Sequence, residues 1–136
     1  MSEENVAIVR RIYEAVERGD ADAVLTLYDP EVEWVFARSP FRRMFKQDVY
    51  RGYDGLRSFV RERYEEAWVE IEDELSELID AGDHVISVIS TRGRGRASGA
   101  EVERVHAGVW TMRDGRVVRV EWMDRDEALE AAGLSE

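Results

Sequence analysis

Apolar residues recur at helical spacing in three parts of the chain. The first stripe consists of Val6, Val9, Ile12, Tyr13 and Val16. Gly19 follows it, at the position of a left-handed helix C-cap. A second, shorter stripe begins after Asp20 and stops before Pro30, because proline cannot continue a helix. A third follows Asp54, which we expect to cap its helix. The third stripe consists of Leu56, Phe59, Val60, Tyr64, Ala67 and Trp68. The pattern therefore predicts three helices.

Alternation of apolar and polar residues predicts strands in the rest of the chain. The alternating or β-branched segments are residues 31–36, 70–75, 85–91, 102–112 and 117–123. Asp114-Gly115 separates the last two and predicts a type I′ hairpin turn. A short helix, Asp126 to Ala132, closes the chain. Helices followed by hairpin-linked strands indicate an α+β fold, in which a curved antiparallel sheet wraps around three helices and leaves an open cone with an apolar interior. We expect a single domain, residues 1–136.

Two segments interrupt this pattern. Residues 38–48 hold three arginines, Lys46 and three large apolar residues without periodicity, and we expect a loop or lid. The Arg/Gly-rich segment 92–99 is more typical of two strand ends and a hairpin tip than of an RNA-binding segment. Asp73 lies on the apolar side of its strand, either as an inward acid or at an exposed sheet edge. The glutamates on both sides of it favour the edge.

Composition narrows the chemistry. The 19 Lys and Arg residues against 30 Asp and Glu give a net charge of −11, which disfavours nucleic acid as a partner. Cysteine is absent, which excludes disulfide scaffolds, thiol nucleophiles and Cys-ligated zinc. The sequence shows neither a signal-peptide pattern nor an apolar run of ~20 residues, so we expect a cytoplasmic protein with no membrane contact.

Nucleotide-binding and metalloprotease motifs are absent from the sequence, as is the GxSxG pattern of serine hydrolases. Neither His84 nor His106 has a second histidine at ligand spacing, so we predict no metal and no cofactor. The expected partner is a small apolar or carbonyl-containing molecule.

The last hairpin carries the candidate catalytic residues. A two-residue turn pairs Arg113 with Arg116, and this register places His106, Arg119 and Glu121 on one face. The opposite, apolar face holds Val105, Ala107, Val109, Thr111, Val118, Val120 and Trp122. If the polar face lines the cone, apolar surroundings raise the pKa of Glu121 and allow it to transfer a proton, with Arg119 or His106 assisting. If the apolar face lines the cone, those three side chains face solvent or a dimer interface. A β-bulge in either strand would change this assignment.

Aromatic residues supply the candidate ligand-binding surface. The candidates are Trp34, Tyr53, Trp68, Trp110 and Trp122, together with Arg119. A tryptophan is more often a core residue than a ligand contact. We expect one or two of the four tryptophans to reach the cavity.

At this point the sequence resembles the SnoaL-like branch of the nuclear transport factor 2 family, which includes ketosteroid isomerase and polyketide cyclases. The resembling segments are Ile8 to Tyr13, Arg18-Gly19-Asp20, Leu27 to Trp34, Tyr50 to Gly55, Asp80 to Asp83, Val109 to Gly115 and Glu127 to Leu134. The resemblance implies an NTF2-like cone, also described as a cystatin-like roll, and a homodimer formed through the outer sheet face. These segments are structural signals, so they imply the fold and not a reaction.

The isomerase residues of that family are not found at the matching positions. Its carboxylate base aligns with Trp34, its oxyanion tyrosine with Ile12, and its oxyanion aspartate with Gly108 or Val109. The resemblance to the cyclases is different, because these rely on an acid in the last strands, which Glu121 matches. Gly108 stands where a histidine is common in those proteins, and His106 could substitute for it.

Two functions therefore stay open. The first is cofactor-free proton transfer, of isomerase, cyclase or dehydratase type, on a small and largely apolar molecule, with Glu121 and His106 as catalytic residues. The second is a non-catalytic ligand-binding or dimerisation module.

Overall fold

The computed structural model, which describes residues 2–133, consists of helices and one curved sheet. The helices are α1 (Ser2–Arg18), α2 (Ala21–Thr26), α3 (Gly52–Arg61) and α4 (Arg125–Ala131). The strands are β1 (Tyr28–Val35), β2 (Val49–Arg51), β3 (Trp68–Asp80), β4 (His84–Gly95), β5 (Glu101–Arg113) and β6 (Arg116–Met123). The predicted α+β class is confirmed. Within the described range, no helix is both long and apolar enough to span a bilayer.

The six strands form one sheet in the order β2-β1-β6-β5-β4-β3. All neighbouring strands are antiparallel except β1 and β6, which are parallel. The prediction of a purely antiparallel sheet is therefore wrong for this pair. The parallel pairing is possible because the long connection from β1 to β6 provides the crossover that parallel neighbours require.

Several element boundaries differ from the sequence pattern. β1 begins at Tyr28 and includes Pro30, whereas the predicted strand begins at residue 31. The ladder with β6 is irregular between Tyr28 and Glu33, so a residue without an N–H can be accommodated there. Helix α3 begins at Gly52 and not after Asp54, which lies in its first turn. It continues as a π-helical segment, Glu62–Ala67, before β3 begins at Trp68.

The two faces of the sheet are covered differently. The concave face packs against α1, α2 and α3 through a cluster that includes Val9, Ile12, Leu56 and Phe59. Helix α4 covers part of the convex face. Its residue Ala128 packs with Ile86, Val88, Ala107 and Met123. Burying a side chain such as Met123, which is 0% exposed, contributes about 2 kcal/mol.

The β5–β6 hairpin contains a bulge that decides which side chains face the concave side. Asp114 and Gly115 both have positive φ, 54° and 79°, as the predicted type I′ turn requires. Met112 pairs with Val117, but Thr111 pairs with Arg119, so Val118 is the extra residue. The register predicted from the turn is therefore wrong from Thr111 onward.

The bulge moves every later β6 side chain to the other face. Trp122 now lies opposite Gly108 and shares the concave face with His106 and Trp110. Glu121 lies opposite Val109, on the convex face.

Candidate functional site

A cavity of about 990 Å³ lies between the concave face of the sheet and the helices. This volume is at the upper end of the range for small-molecule sites, roughly 300–1,000 Å³. All four tryptophans line it, more than the one or two expected. The rings of Trp34 and Trp122 lie 5.4 Å apart between centroids, and those of Trp110 and Trp122 lie 5.9 Å apart. This part of the wall is therefore a continuous aromatic surface.

Five of the eight residues predicted for the site lie in the cavity wall: Trp34, Trp68, His106, Trp110 and Trp122. The structure places the other three elsewhere. Arg119 is on the convex face, 3.3 Å from Glu33 in an ion pair. The Tyr53 hydroxyl donates to the Tyr28 carbonyl oxygen at 3.0 Å. Glu121 lies on the convex face, where the hydrogen bond of Arg38 to Glu127 raises the pKa of Arg38 and the charge of Glu121 adds to that effect.

The catalytic prediction for Glu121 depended on a register that the structure does not have. Because of the bulge, Glu121 and His106 lie on opposite faces of the sheet. An aromatic side chain, Trp122, occupies the position on the concave face that the predicted register gave to the acid. Glu121 has no contact with the cavity and takes no part in the function proposed below.

The cavity holds a hydrogen-bonded series that crosses three strands. Arg63 Nη2, on the π-helical segment, lies 2.7 Å from Asp73 Oδ2 on β3. The Thr91 hydroxyl on β4 donates to Asp73 Oδ1 at 2.6 Å, and Thr91 Oγ1 lies 2.8 Å from His106 Nε2 on β5. Asp73 and Thr91 are directly paired in the β3–β4 ladder. Asp73 is therefore both on an edge strand and directed inward, so both readings of this residue hold.

This series determines the tautomer of His106. A hydroxyl has one proton, and Thr91 gives it to Asp73, so Thr91 Oγ1 accepts a hydrogen bond from Nε2–H of His106. The neutral ring then carries its free lone pair on Nδ1. His106 is 7% exposed, and its Nδ1 has no hydrogen-bond partner within residues 2–133.

Burial keeps this imidazole neutral. It lowers the pKa of His106 from 6.5 to about 4. The surrounding charges oppose one another, because Asp73 and Asp124 raise the pKa while Arg63 and Arg104 lower it. At neutral pH, Nδ1 is therefore a hydrogen-bond acceptor in an apolar wall.

Three hydrogen-bond donors in the same wall also lack acceptors in the described part of the chain. They are the Tyr28 hydroxyl and the indole N–H groups of Trp34 and Trp122. The Trp34 indole is close enough to lower the pKa of Tyr28, although the two groups do not meet hydrogen-bond geometry. Burial has the larger, opposite effect and raises that pKa. Buried donors without acceptors are rare and destabilising in folded proteins.

A neighbouring group shows the usual arrangement. The Ser87 oxygen lies 2.8 Å from the Trp110 indole nitrogen and 2.9 Å from the Tyr13 hydroxyl, and it accepts from both. Burial raises the pKa of Tyr13, so its hydroxyl stays protonated and donates. The fold thus supplies acceptors for these two donors and leaves those of Tyr28, Trp34 and Trp122 without one.

Residues 38–48, predicted as a loop or lid, close the cavity at the His106 end. Phe41 packs edge-on against His106, with 5.1 Å between ring centroids, and against Trp68 at 5.9 Å. The buried Glu62 holds the end of this segment, because its Oε1 accepts from the Lys46 backbone N–H at 3.2 Å and from the Tyr50 hydroxyl at 2.5 Å. A 3₁₀ turn, Arg42–Met44, lies between Phe41 and Lys46.

Arg63, Thr91 and the Tyr28 hydroxyl were not among the predicted site groups. Thr91 could have been found, because an antiparallel β3–β4 hairpin can pair it with the inward Asp73. Arg63 could not, since the π-helical segment interrupts the helical pattern that would place its side chain. Among residues 2–133, no three His, Asp or Glu side chains are arranged to hold a metal ion.

Comparison with known proteins agrees with this architecture. A SnoaL-like domain model matches residues 9–120. An NTF2-like protein from Burkholderia thailandensis E264 is 30% identical, with 95% of this chain and 96% of that chain covered and a TM-score of 0.75. An NTF2-like protein of unknown function from Burkholderia pseudomallei K96243 is 24% identical, with 93% and 95% covered and a TM-score of 0.73.

A third similar structure is TerC, co-crystallised with polyporic acid. It is 22% identical to this chain, with 97% of this chain and 99% of TerC covered and a TM-score of 0.73. At this identity the likeness concerns the fold alone. No curated protein matches the sequence significantly.

Proposed function

Since the chain belongs to the SnoaL-like domain family, we propose that its cavity binds a small, largely apolar molecule that carries both a hydroxyl group and a carbonyl oxygen. The observation that carries this proposal is the unpartnered Nδ1 of buried His106 in an aromatic wall. A neutral acceptor in that position selects a ligand with an O–H or N–H group. The indole donors of Trp34 and Trp122 select an oxygen acceptor in the same ligand.

The aromatic wall determines the shape and polarity that we expect for the rest of the ligand. Flat apolar surfaces fit between aromatic rings, and a few polar groups among them orient the molecule. Co-crystallisation of TerC with polyporic acid is consistent with such a ligand in a protein of this fold.

The test compares hydroxyacetophenone isomers with their methyl ethers. The ethers keep the ring and the carbonyl but cannot donate a hydrogen bond. Because all four tryptophans line the cavity, quenching of their fluorescence can report binding. Loss of one hydrogen bond to a buried neutral acceptor should weaken binding about tenfold.

His106→Phe keeps an aromatic ring in the wall and removes the acceptor, so the preference for the hydroxyl compound should disappear. His84→Phe is the matched control, because His84 is half-buried, bonds Thr111 Oγ1 at 3.1 Å, and is not in the cavity wall. A hydroxyl preference that persists in His106→Phe would refute the proposal.

Proton transfer is the second candidate, and the hydrogen-bonded series behind His106 favours it. A proton on the carbon next to the ligand carbonyl would move to Nδ1, while the indole N–H groups stabilise the enolate oxygen. A pKa of about 4 makes His106 a weak base, so only an acidified C–H can react. NMR of bound hydroxyacetophenone in D₂O tests this. Faster deuterium uptake by its methyl group with wild type than with His106→Phe supports transfer, and tight binding without uptake supports binding alone.

A further inference from the structure

Three large apolar side chains on the helical elements are exposed. Val16 on α1 is 55% exposed, Val60 on α3 is 50% exposed, and Tyr64 on the π-helical segment is 52% exposed. All three also line the cavity. We refer to Val16, Val60 and Tyr64 as the mouth triad.

The position of the mouth triad follows from how the helices pack. Helix α1 packs on α2, β3 and β4, whereas α3 packs on β1 and β2 at the other side of the cone. Val16 on α1 and Val60 on α3 belong to these two groups, and the π-helical segment of Tyr64 contacts both α3 and β3. All three side chains combine exposure with a place in the cavity wall.

Tyr64 is connected to the polar series inside. The Arg63 guanidinium carbon lies 5.6 Å from the centroid of the Tyr64 ring and 6.0 Å from that of Phe59, which also lines the cavity. The other end of the same guanidinium binds Asp73. Through Arg63 and Asp73, the exposed Tyr64 is therefore linked to the hydrogen-bonded series that ends at His106.

Other exposed apolar residues are not placed in this way. Val69 is 52% exposed and Val105 is 50% exposed, and neither lines the cavity. Val105 belongs to the opposite face of β5 from His106. Exposure alone does not distinguish the mouth triad, but continuity with the cavity does.

We infer that the ligand carries an unbranched apolar tail that leaves the cavity between α1 and α3 and covers the mouth triad. The inference rests on the proposed function, because the polar head of the same molecule binds at His106. It narrows the ligand class to an amphiphile, a hydroxylated aryl ketone with an alkyl chain. The tail removes from water the apolar surface that the mouth triad exposes.

The test uses a series of hydroxyphenyl ketones with acyl chains of increasing length, from acetyl to decanoyl. Each methylene buried on the protein should raise affinity about fourfold. Affinity should rise along the series until the tail extends beyond the mouth triad, and then stay constant.

The double variant Val16→Ser with Val60→Ser should lose at least tenfold in affinity for the longer members, and its loss should be smallest for the acetyl compound. Val69→Ser with Val105→Ser is the matched control, with equal numbers of equally exposed valines changed, and should behave as wild type. Tyr64→Ser gives an independent second test, and thermal unfolding confirms that each variant is folded.

The outcomes separate the two proposals. If the acetyl compound does not bind wild type at all, the proposed function fails. If it binds through His106 but affinity does not depend on chain length, or depends on it equally in the mouth-triad variant, the tail is refuted and the proposed function stands. If the mouth-triad variant instead dissociates a ligand-free dimer in sedimentation experiments, the surface is an interface between copies, and the tail is again refuted.

Discussion

Thr91 Oγ1 lies 2.8 Å from Nε2 of His106, and its own proton is already given to Asp73 at 2.6 Å. Together these contacts leave the hydroxyl oxygen able only to accept from the ring. The tautomer of His106 is therefore set by a neighbouring strand, before any ligand is present. That preorganisation gives a buried side chain a free lone pair on a fixed atom.

Thr91→Val removes this hydroxyl with almost no change in shape. The buried Nε2–H of His106 then has no acceptor, and we expect the free energy of unfolding to fall by about 1–3 kcal/mol. Binding of hydroxyacetophenone should weaken as well, because the ring is no longer held in one tautomer. Denaturant unfolding and fluorescence titration measure the two effects.

Thr111→Val is the control for that substitution. Thr111 Oγ1 lies 3.1 Å from Nδ1 of His84, in a half-buried pair on the other face of the sheet. Water can replace this bond, so the expected loss is below about 1 kcal/mol, and ligand binding should not change. Equal losses at the two threonines would contradict the assignment of Thr91 Oγ1 as the buried acceptor that the Nε2–H of His106 requires.

Because of His106, the free energy of unfolding should decrease as the pH is lowered. Its pKa is about 4 in the folded protein and 6.5 as a free side chain. Between these values the unfolded chain binds a proton that the folded chain does not, so acid favours unfolding. We expect His106 to lower the free energy of unfolding by about 2 kcal/mol between pH 7 and pH 5.

The comparison of wild type with His106→Phe isolates that contribution, since the variant should show a shallower decline over the same interval. His84→Phe, which keeps His106, should retain the steeper decline. An NMR titration in which the His106 ring titrates near pH 6.5 would show that burial does not shift this pKa.

Local rules predicted much of the fold. The turn at Asp114-Gly115 was correct because two consecutive positive φ angles demand residues of this kind. The helices α1 and α2 and the strands β4, β5 and β6 were found from periodicity, β-branched composition and the residues that cap or separate them. The short β2 was missed, since Val49–Arg51 has too few residues to show a period. Membership in the family was also correctly identified, and the homodimer, the cytoplasmic location and the single domain of residues 1–136 stay predictions.

The candidate site could be predicted only in part, and the bulge at Val118 explains why. One bulged residue alters neither the number of apolar residues in the strand nor the residues of the turn, so the sequence pattern does not reveal it. It nevertheless places Trp122 on the concave face in place of Glu121. Tertiary packing favours the bulged register, because Gly108 leaves the room that the Trp122 ring occupies. His106 precedes the bulge in the pairing, and its position does not depend on β6.

Gly108→Ala tests that packing. An added Cβ would lie 2.8 Å from Trp122 Cζ3 and 3.1 Å from Trp110 Nε1, so at least one ring must move. Overpacking of this kind should destabilise the protein by about 1–3 kcal/mol and change the near-UV circular dichroism of the tryptophans. Gly95→Ala, whose Cβ would meet only the Ser98 hydroxyl at 3.0 Å, should stay within about 0.5 kcal/mol of wild type. A neutral Gly108→Ala with an unchanged spectrum would show that the rings do not depend on this glycine.

Glu62 should control how firmly residues 38–48 cover His106. Glu62→Ala leaves the Tyr50 hydroxyl and the Lys46 N–H without their common acceptor, and we expect a loss of about 2–4 kcal/mol. Hydrogen exchange distinguishes the segment from the rest of the protein, because the Lys46 amide should lose its protection in this variant. Tyr50→Phe removes only the hydroxyl and keeps the bond from Lys46 to Glu62, so that amide should stay protected. If the Lys46 amide stays protected in both variants, the aromatic packing of Phe41 and Phe45 holds the segment, and Glu62 is not its anchor.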